Sequence, residues 1–169
     1  HGVLLGPAMG SEPPAPPPGA VGVMRPDPMA MKPFCGYHYG DYFAHWLSFD
    51  KPGANLPKVF HVNWFRKGDD GKFLWPGYGE NMRVLEWILA RVQGTAAATQ
   101  TEIGALPSDD ALNLDGLSLS PGGEQALFAI DRTQWAEEFG RTGEYLQTLG
   151  DRLPEKLEHT RAEIARSLG

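Results

Sequence analysis

Aromatic side chains are concentrated in the stretch from Trp64 to Tyr78, which also contains a charged Gly/Asp turn at 67–71. Five rings fall within 15 residues: Trp64, Phe65, Phe73, Trp75 and Tyr78. A buried strand uses about two rings over such a length, and a loop needs rigid rings mainly to stack on something flat. Composition alone leaves two interpretations open, a surface for a planar ligand and an aromatic mini-core that pins a turn.

A helix is predicted directly after this stretch, with Asn81 as its N-cap and Gly94 at its end. One helical face is predicted to be buried because it carries the apolar residues Leu85, Ile88, Leu89 and Val92. The glycine-rich turn at 75–79 therefore delivers a ligand to a helix N-terminus, where backbone N–H groups are unpaired. Guanine suits such a site because its O6 accepts hydrogen bonds, whereas adenine places an amino donor at the same position.

Three long motifs lie in and around the aromatic stretch: HVNWFRK at 61–67, FLWPGYGEN at 73–81 and RVLEW at 83–87. Shorter motifs flank them: His1-Gly2-Val3, Met31-Lys32-Pro33-Phe34, Gly36-Tyr37, His45-Trp46-Leu47-Ser48, Leu56-Pro57-Lys58, Ile103-Gly104 and Ala111-Leu112-Asn113-Leu114. In this order the motifs resemble GTP-dependent phosphoenolpyruvate carboxykinase. The resemblance covers roughly residues 1–155 and concerns only the C-terminal part of that longer enzyme.

The resemblance implies a guanine pocket, because three aromatic side chains hold the guanine in that family. The corresponding residues here are Phe65, Phe73 and Tyr78, with the backbone of Gly79, Glu80 and Asn81 closing the pocket. Tyr78 stands where the relatives carry Phe, so it keeps the stacking face and adds a hydroxyl. The family's reaction converts oxaloacetate and GTP to phosphoenolpyruvate, GDP and carbon dioxide in gluconeogenesis.

No catalytic residue and no metal ligand are assigned in this chain. The sequence contains no G-x-x-x-x-G-K-[ST] phosphate loop. The family implies Mn²⁺ or Mg²⁺, but its metal site and its oxaloacetate-binding arginines correspond to sequence upstream of the matching part. His38, Asp41 and His45 share one helical face, yet no fourth ligand is evident, which favours an ordinary helix surface over a metal site.

The resemblance implies a mixed α/β (α+β) fold, the C-terminal part of the carboxykinase nucleotide-binding domain, with few strands and several packed helices. We expect one fragment spanning residues 1–169. A proline-rich segment at 7–23 takes the position of the family's lid, a guanine-binding strand–loop–helix spans 57–94, and C-terminal helices span 131–169. The prolines at 13–18 favour an extended segment that closes poorly as a lid.

Local patterns predict the remaining elements. Residues 1–6 read as a short buried strand, and 59–64 as a strand-like run before the turn. A helix is predicted over 37–48 with Tyr42 and Trp46 facing inward and Phe43 as a further candidate. A long amphipathic helix is predicted from Asp131, and Pro154 is expected to open a last helix.

Bulk properties narrow the choice of partners and compartment. The net charge of −6 over 169 residues argues against nucleic acid or a membrane surface as a partner. Cys35 is the only cysteine, so no internal disulfide forms and a reducing, cytoplasmic compartment fits. No apolar run approaches the length of a membrane span. We expect a monomer, and the start at His1 is typical of a piece of a longer protein.

Three functional hypotheses remain open at this point. The chain is a carboxykinase fragment that carries the guanine pocket and lacks activity alone, or a guanine-nucleotide-binding module without catalysis, or a nonfunctional truncated remnant. The first predicts that oxaloacetate and phosphoenolpyruvate are bound by residues outside the chain.

Overall fold

The structure is a computed structural model, and it describes residues 1–11, 19, 24–108 and 110–169. The chain folds as two compact units, one formed by His1–Val59 with Arg132–Gly169 and the other by Phe60–Asp131. Its elements in chain order are α1 (Gly2–Leu5), β1 (Gly10–Ser11), β2 (Arg25–Pro26), α2 (Tyr39–Leu47), α3 (Asn81–Gln93), β3 (Ala98–Thr101), β4 (Gly104–Pro107), α4 (Gly123–Phe128), α5 (Arg132–Gln147) and α6 (Glu155–Leu168). The predicted mixed class, with few strands and several packed helices, is confirmed. Among the described helices, none is both long and apolar enough to cross a membrane.

The first unit is built around α5 and α6, which pack antiparallel to each other, and α6 also contacts α1. Its core consists of Leu4, Phe43, Phe139, Leu146, Leu149, Leu157, Ile164 and Leu168. The last two helices are as predicted, and Pro154 stands immediately before α6 in an extended conformation. Gly40 lets the backbone of α2 approach the turn at Gly150–Arg152, because a Cβ there would collide with the carbonyl oxygen of Arg152.

The strand predicted at residues 1–6 is wrong, since Gly2–Leu5 forms a short helix that buries Leu4. A brief apolar run has no periodicity that separates a buried strand from a buried helical turn. Each strand also needs a partner, and β1 instead pairs with β2, Gly10 opposite Pro26 and Ser11 opposite Arg25. The two short strands are joined through 12–24, and the predicted effect of the prolines at 13–18 lies outside the described residues.

Asp27, directly after β2, links β1 to the segment that follows the hairpin. It is 5% exposed, and its carboxylate accepts from the Ser11 hydroxyl at 2.5 Å and from the Lys32 backbone N–H at 2.8 Å. The hydrogen bond from Ser11, followed by that from Lys32, holds the pKa of Asp27 below its ordinary value, although burial opposes the shift. The carboxylate therefore contributes to the folded state in its charged form.

Helix α2 forms as predicted, and of the three rings considered for its inner face it buries Phe43. Phe43 is fully buried, whereas Trp46 is exposed and Tyr42 is half-buried. The predicted inward positions of Tyr42 and Trp46 are therefore wrong for Trp46 and only partly right for Tyr42. The two rings instead contact each other edge-to-face, with centroids 5.8 Å apart.

The second unit has a core of Trp75, Trp87 and Leu112, against which flanking apolar side chains pack. The β3–β4 hairpin belongs to this unit, with Ala98 opposite Pro107 and Thr101 opposite Gly104. The run at 59–64 forms no strand. Backbone pairing occurs a few residues later, across the turn that joins Arg66 to Leu74.

Helix α3 does not bury the predicted face. Trp87 is its buried residue and Ile88 is half-buried, while Leu85, Leu89 and Val92 are exposed. The Trp87 ring packs edge-to-face against Phe60, and its Nε1–H donates to the Ala97 carbonyl at 3.3 Å. Burial of the large indole therefore determines which face of the helix is turned inward, and Leu85 and Leu89 remain exposed.

Candidate functional site

A tight β-turn presents the two phenylalanines of the predicted pocket. The Leu74 N–H donates to the Arg66 carbonyl at 2.8 Å, and Lys67 faces Phe73 in an antiparallel bridge. Residues that face each other in such a bridge point to the same side, so Lys67 and Phe73 share the outer face of this turn. The Phe65 ring contacts Phe73 on that face, and Leu74 is buried on the inner one.

The structure brings Phe65 and Phe73 together. Their ring centroids are 5.9 Å apart with an interplanar angle of 66°, an edge-to-face contact. The two residues are nevertheless 73% and 56% exposed. The Lys67 ammonium lies 5.5 Å from the centroid of the Phe73 ring, where its charge interacts with the ring face. The pair is thus a small aromatic surface available to a ligand.

The rings of Phe65 and Phe73 do not form an open slot one base thick. Two rings in edge-to-face contact leave no gap between them for a third plane. A base can stack on the free face of one ring while the edge of the other borders it, or it can enter after the rings separate. The aromatic pair is therefore assembled, while the slot between its members is closed.

The two tryptophans of the aromatic stretch serve the core. Trp75 is 7% exposed and packs against Trp64, with ring centroids 6.0 Å apart. The Trp75 Nε1–H donates to the Asn81 side-chain oxygen at 2.9 Å. Of the two interpretations left open by composition, the mini-core describes Trp64 and Trp75, and an exposed surface describes Phe65 and Phe73.

The predicted cap at Asn81 is wrong. Asn81 is the first residue of α3, with helical φ and ψ of −61° and −27°, and the cap position belongs to Glu80. The Asn81 side-chain oxygen is already engaged by Trp75. A buried indole N–H requires an acceptor, and that requirement directs the Asn81 side chain away from the helix backbone.

Tyr78 begins the 3₁₀ turn Tyr78–Glu80 that leads into α3. Gly77 precedes it with a φ of +136°, a conformation that favours glycine. The Tyr78 side chain is 91% exposed. In the part of the chain that the structure describes, no other ring stacks on it, so it is not joined to the Phe65–Phe73 pair.

The backbone N–H groups of the turn are not equally available to a ligand. The Glu80 N–H donates to the Gly77 carbonyl and the Asn81 N–H to the Tyr78 carbonyl. The Gly79 N–H has no partner within the described residues. The Glu80 carboxylate accepts from Arg83 at 2.6 Å, and Arg83 also donates to the Asn113 carbonyl at 3.0 Å, which fixes the turn against the following loop.

The three residues considered for a metal site have other roles. His38 Nδ1 accepts from the Gly40 N–H at 3.1 Å and so caps α2, Asp41 pairs with Arg152 at 2.9 Å, and His45 contacts Phe49 edge-to-face. No group of three or more His, Cys, Asp or Glu side chains in the described ranges is placed to hold a metal ion. The histidine cap was missed because His is not among the usual N-cap residues.

Comparison with known proteins gives consistent results. Residues 1–167 match the family model described as the phosphoenolpyruvate carboxykinase C-terminal P-loop domain. The chain is 50% identical over 157 residues to phosphoenolpyruvate carboxykinase (GTP) of Anaeromyxobacter dehalogenans, a stretch that covers 93% of the chain and 26% of that relative. The carboxykinase of Chlamydia muridarum is 44% identical over 169 residues, which cover 99% of the chain and 28% of the relative. The enzyme of Thermoplasma volcanium is 47% identical over 157 residues, or 93% of the chain and 26% of the relative.

The chain thus spans about a quarter of the length of the curated relatives it matches. The resemblance seen in its motifs is confirmed, together with the assignment to the C-terminal part. The chain belongs to the family of GTP-dependent phosphoenolpyruvate carboxykinases.

Proposed function

We propose that this chain supplies the guanine-binding part of a GTP-dependent phosphoenolpyruvate carboxykinase. The complete enzyme would convert oxaloacetate and GTP to phosphoenolpyruvate, GDP and carbon dioxide. The observation that carries the proposal is the exposed, edge-to-face pair of Phe65 and Phe73, held beside each other by the turn at 66–74. Two adjoining exposed rings offer apolar faces on which a flat ligand can stack.

Guanine would bind by stacking on this pair, with Tyr78 as a third aromatic face. Base–aromatic stacking contributes about 1–3 kcal/mol per base. Stacking does not choose between bases, so selectivity needs a polar group. The unpartnered N–H of Gly79 can donate to guanine O6, and the same N–H would face the amino donor of adenine. The Glu80 and Asn81 N–H groups, which are used within the turn, shape the pocket without reading the base.

The Lys67 ammonium is part of the same outer face, 5.5 Å from the Phe73 centroid. A positive charge beside the aromatic pair favours a ligand that carries phosphates. Phosphoryl transfer would further need a divalent cation to neutralise the negative charge of the phosphates. We assign no ligand for Mn²⁺ or Mg²⁺ in this chain, and the carbon substrates would likewise be held by residues outside it.

The proposal has further parts that extend the family assignment. The enzyme would act in gluconeogenesis, in the cytoplasm and as a monomer, and this chain alone would bind nucleotide without turnover. A guanine-binding module that never joins a catalytic assembly is the competing function. It would bind GDP equally well, and the two differ in whether a complete enzyme containing this chain is active.

Nucleotide binding tests the proposal directly. The proteins are the chain itself and a hybrid enzyme in which the matching 157 residues of the Anaeromyxobacter dehalogenans carboxykinase are replaced by this chain. We expect both to bind GDP, and Phe73→Ala to weaken GDP binding by about 1–3 kcal/mol through lost stacking. Isothermal titration calorimetry with GDP, IDP and ADP measures affinity, and turnover of the hybrid measures activity.

Phe49→Ala is the matched control, because Phe49 is 53% exposed, similar to Phe73, and also contacts another ring edge-to-face. Its GDP affinity should equal that of the unmodified protein. IDP keeps O6 and should bind close to GDP, whereas ADP should bind much more weakly. Equal affinities for GDP and ADP, or an unchanged GDP affinity in Phe73→Ala, would refute the assigned site.

A further inference from the structure

Helix α3 carries a second apolar face that the described residues of its own unit, Phe60–Asp131, leave exposed. The residues on it are Met82, Leu85, Leu89 and Val92, called here the α3 stripe, and they are 42–67% exposed. At 100° per residue the four side chains fall within an arc of about 80°. The core face of the same helix is a separate arc, occupied by Val84, Trp87 and Ile88.

Polar side chains at Arg83, Glu86 and Gln93 occupy the remaining sector of the helix surface, about 140° wide, while Arg91 lies on the core arc and Asn81 lies between the core arc and the α3 stripe. A helix at the edge of a globular protein normally has one apolar face and a broad polar one. A helix that is apolar on two faces is typical of an element packed between two layers. The sequence of α3 is therefore suited to cover on both apolar arcs, while the unit Phe60–Asp131 covers one of them.

The spacing of the stripe is informative about what covers it. Positions 82, 85, 89 and 92 repeat with intervals of 3, 4 and 3, the pattern of a seam that packs against another apolar element. The stripe carries no charged side chain, and the chain has a net charge of −6. A nucleic acid or an anionic surface is thus a poor match for it, and an apolar protein surface is a good one.

We infer that the α3 stripe is an intramolecular interface, covered in the complete carboxykinase by sequence outside this chain. The matched relatives extend well beyond it, since the aligned stretch is only 26–28% of their length. A stable interface between separate proteins uses about 20–30 residues on each side. Four side chains are too few for that, but they suffice where one polypeptide keeps both surfaces together.

The test is a pair of substitutions whose effect on the thermal midpoint should differ between the isolated chain and the hybrid enzyme. Leu85→Gln/Leu89→Gln makes the α3 stripe polar at little cost in helix propensity. In the chain alone we expect an unchanged thermal midpoint and reduced binding of a hydrophobic dye. In the hybrid enzyme described above we expect the midpoint to fall by at least about 2 °C, because polar groups would then be buried. Glu86→Gln/Gln93→Glu, on the exposed polar arc, is the control and should leave both proteins unchanged.

Three results would overturn the inference. An unchanged midpoint in the hybrid would mean that the α3 stripe remains uncovered there. A lower midpoint in the chain alone would mean that the chain itself covers it. A dimer of the chain that Leu85→Gln/Leu89→Gln dissociates, with no effect in the hybrid, would make a second copy the occupant.

Folding of the hybrid is itself required, so a second hybrid in the Chlamydia muridarum enzyme, which aligns over 169 residues, is made in parallel. Failure of both unmodified hybrids to fold would also count against the inference. The inference rests on the proposed role within a complete carboxykinase but not on the guanine site. Thermal unfolding is measured without nucleotide, so loss of GDP binding with an intact stripe effect would refute the guanine site alone.

Discussion

The hydrogen bond from Trp75 to Asn81 should hold the turn that leads into α3, and its removal should be measurable as stability. Asn81→Ala deletes the acceptor of the Trp75 Nε1–H, which lies 2.9 Å away. Because Trp75 is almost completely buried, water cannot easily replace the lost partner. A buried donor left unsatisfied costs about 1–3 kcal/mol. We therefore expect Asn81→Ala to lower the free energy of unfolding by that amount.

A double-mutant cycle separates this bond from other effects of either substitution. Trp75→Phe removes the donor and some packing, and in that background Asn81→Ala should cost much less. The predicted coupling energy is about 0.5–1.5 kcal/mol, the net contribution of an ordinary hydrogen bond. Urea unfolding of the four proteins, followed by far-UV circular dichroism, provides the free energies. Leu85→Gln is a suitable control because it changes an exposed side chain of the same helix.

The cycle also tests what Asn81 does for nucleotide. In our assignment Asn81 supports the turn and does not read the base, so Asn81→Ala should reduce GDP and IDP affinity by the same factor. A coupling energy indistinguishable from zero would refute the Trp75–Asn81 bond. A loss of affinity confined to GDP would instead show that the Asn81 side chain contacts the guanine amino group.

Two further predictions concern contacts outside the proposed pocket. Arg66 donates to the Leu127 and Ala129 carbonyls at 3.1 and 2.8 Å. Arg66→Met should therefore lower the free energy of unfolding by about 1.5–3 kcal/mol. Lys72→Met is the control: it removes an exposed ion pair with Asp70 and should change the free energy of unfolding by less than about 1 kcal/mol. Ser11→Ala should cost about 1–3 kcal/mol at pH 7 by removing the donor to Asp27. The pKa of Asp27 is lowered in the folded state, so this contribution is present above the ordinary value near 3.8 and is lost as the pH falls through the folded pKa. The difference between wild type and Ser11→Ala should therefore shrink below about pH 4, and a difference that is constant down to pH 2 would contradict the linkage.

The C-terminal helices were predictable because their signals agree with one another. Pro154 cannot continue a helix yet suits a helix start, and Leu157, Ile164 and Leu168 repeat at helical intervals and are all buried. Residues 1–6 offered only a short apolar run, for which pattern gives no preference between strand and helix. The difference between the two regions is the length over which periodicity can be read.

The error at α3 has a different origin. Periodicity correctly identified a helix and an apolar face, but the helix has two such faces. The sequence pattern does not indicate which of them the chain itself covers. The Trp87 indole, with more apolar surface than a leucine and an N–H that needs an acceptor, is placed in the core and leaves Leu89 outside. Similarly, Asn81 suits an N-cap by residue type, but the buried Trp75 competes for the same side-chain oxygen.

The turn that presents Phe73 and Lys67 on one face is visible in the sequence. Gly68-Asp69-Asp70-Gly71 is typical of a hairpin connection, and the Gly68 N–H indeed donates to the Lys72 carbonyl at 2.9 Å. Once Lys67 is paired with Phe73, these two side chains share one face of the turn and Leu74 lies on the opposite one. Alternation would also place Trp75 on the side of Phe73, yet Trp75 is buried. The backbone bends at Leu74 and Trp75, and the indole is held in the core by Trp64 and Asn81. The sequence pattern therefore does not separate the exposed pair from the core tryptophans, and it does not give the angle between the rings of Phe65 and Phe73. That angle depends on side-chain packing around the turn, and it determines whether a base finds an open slot or must separate Phe65 from Phe73.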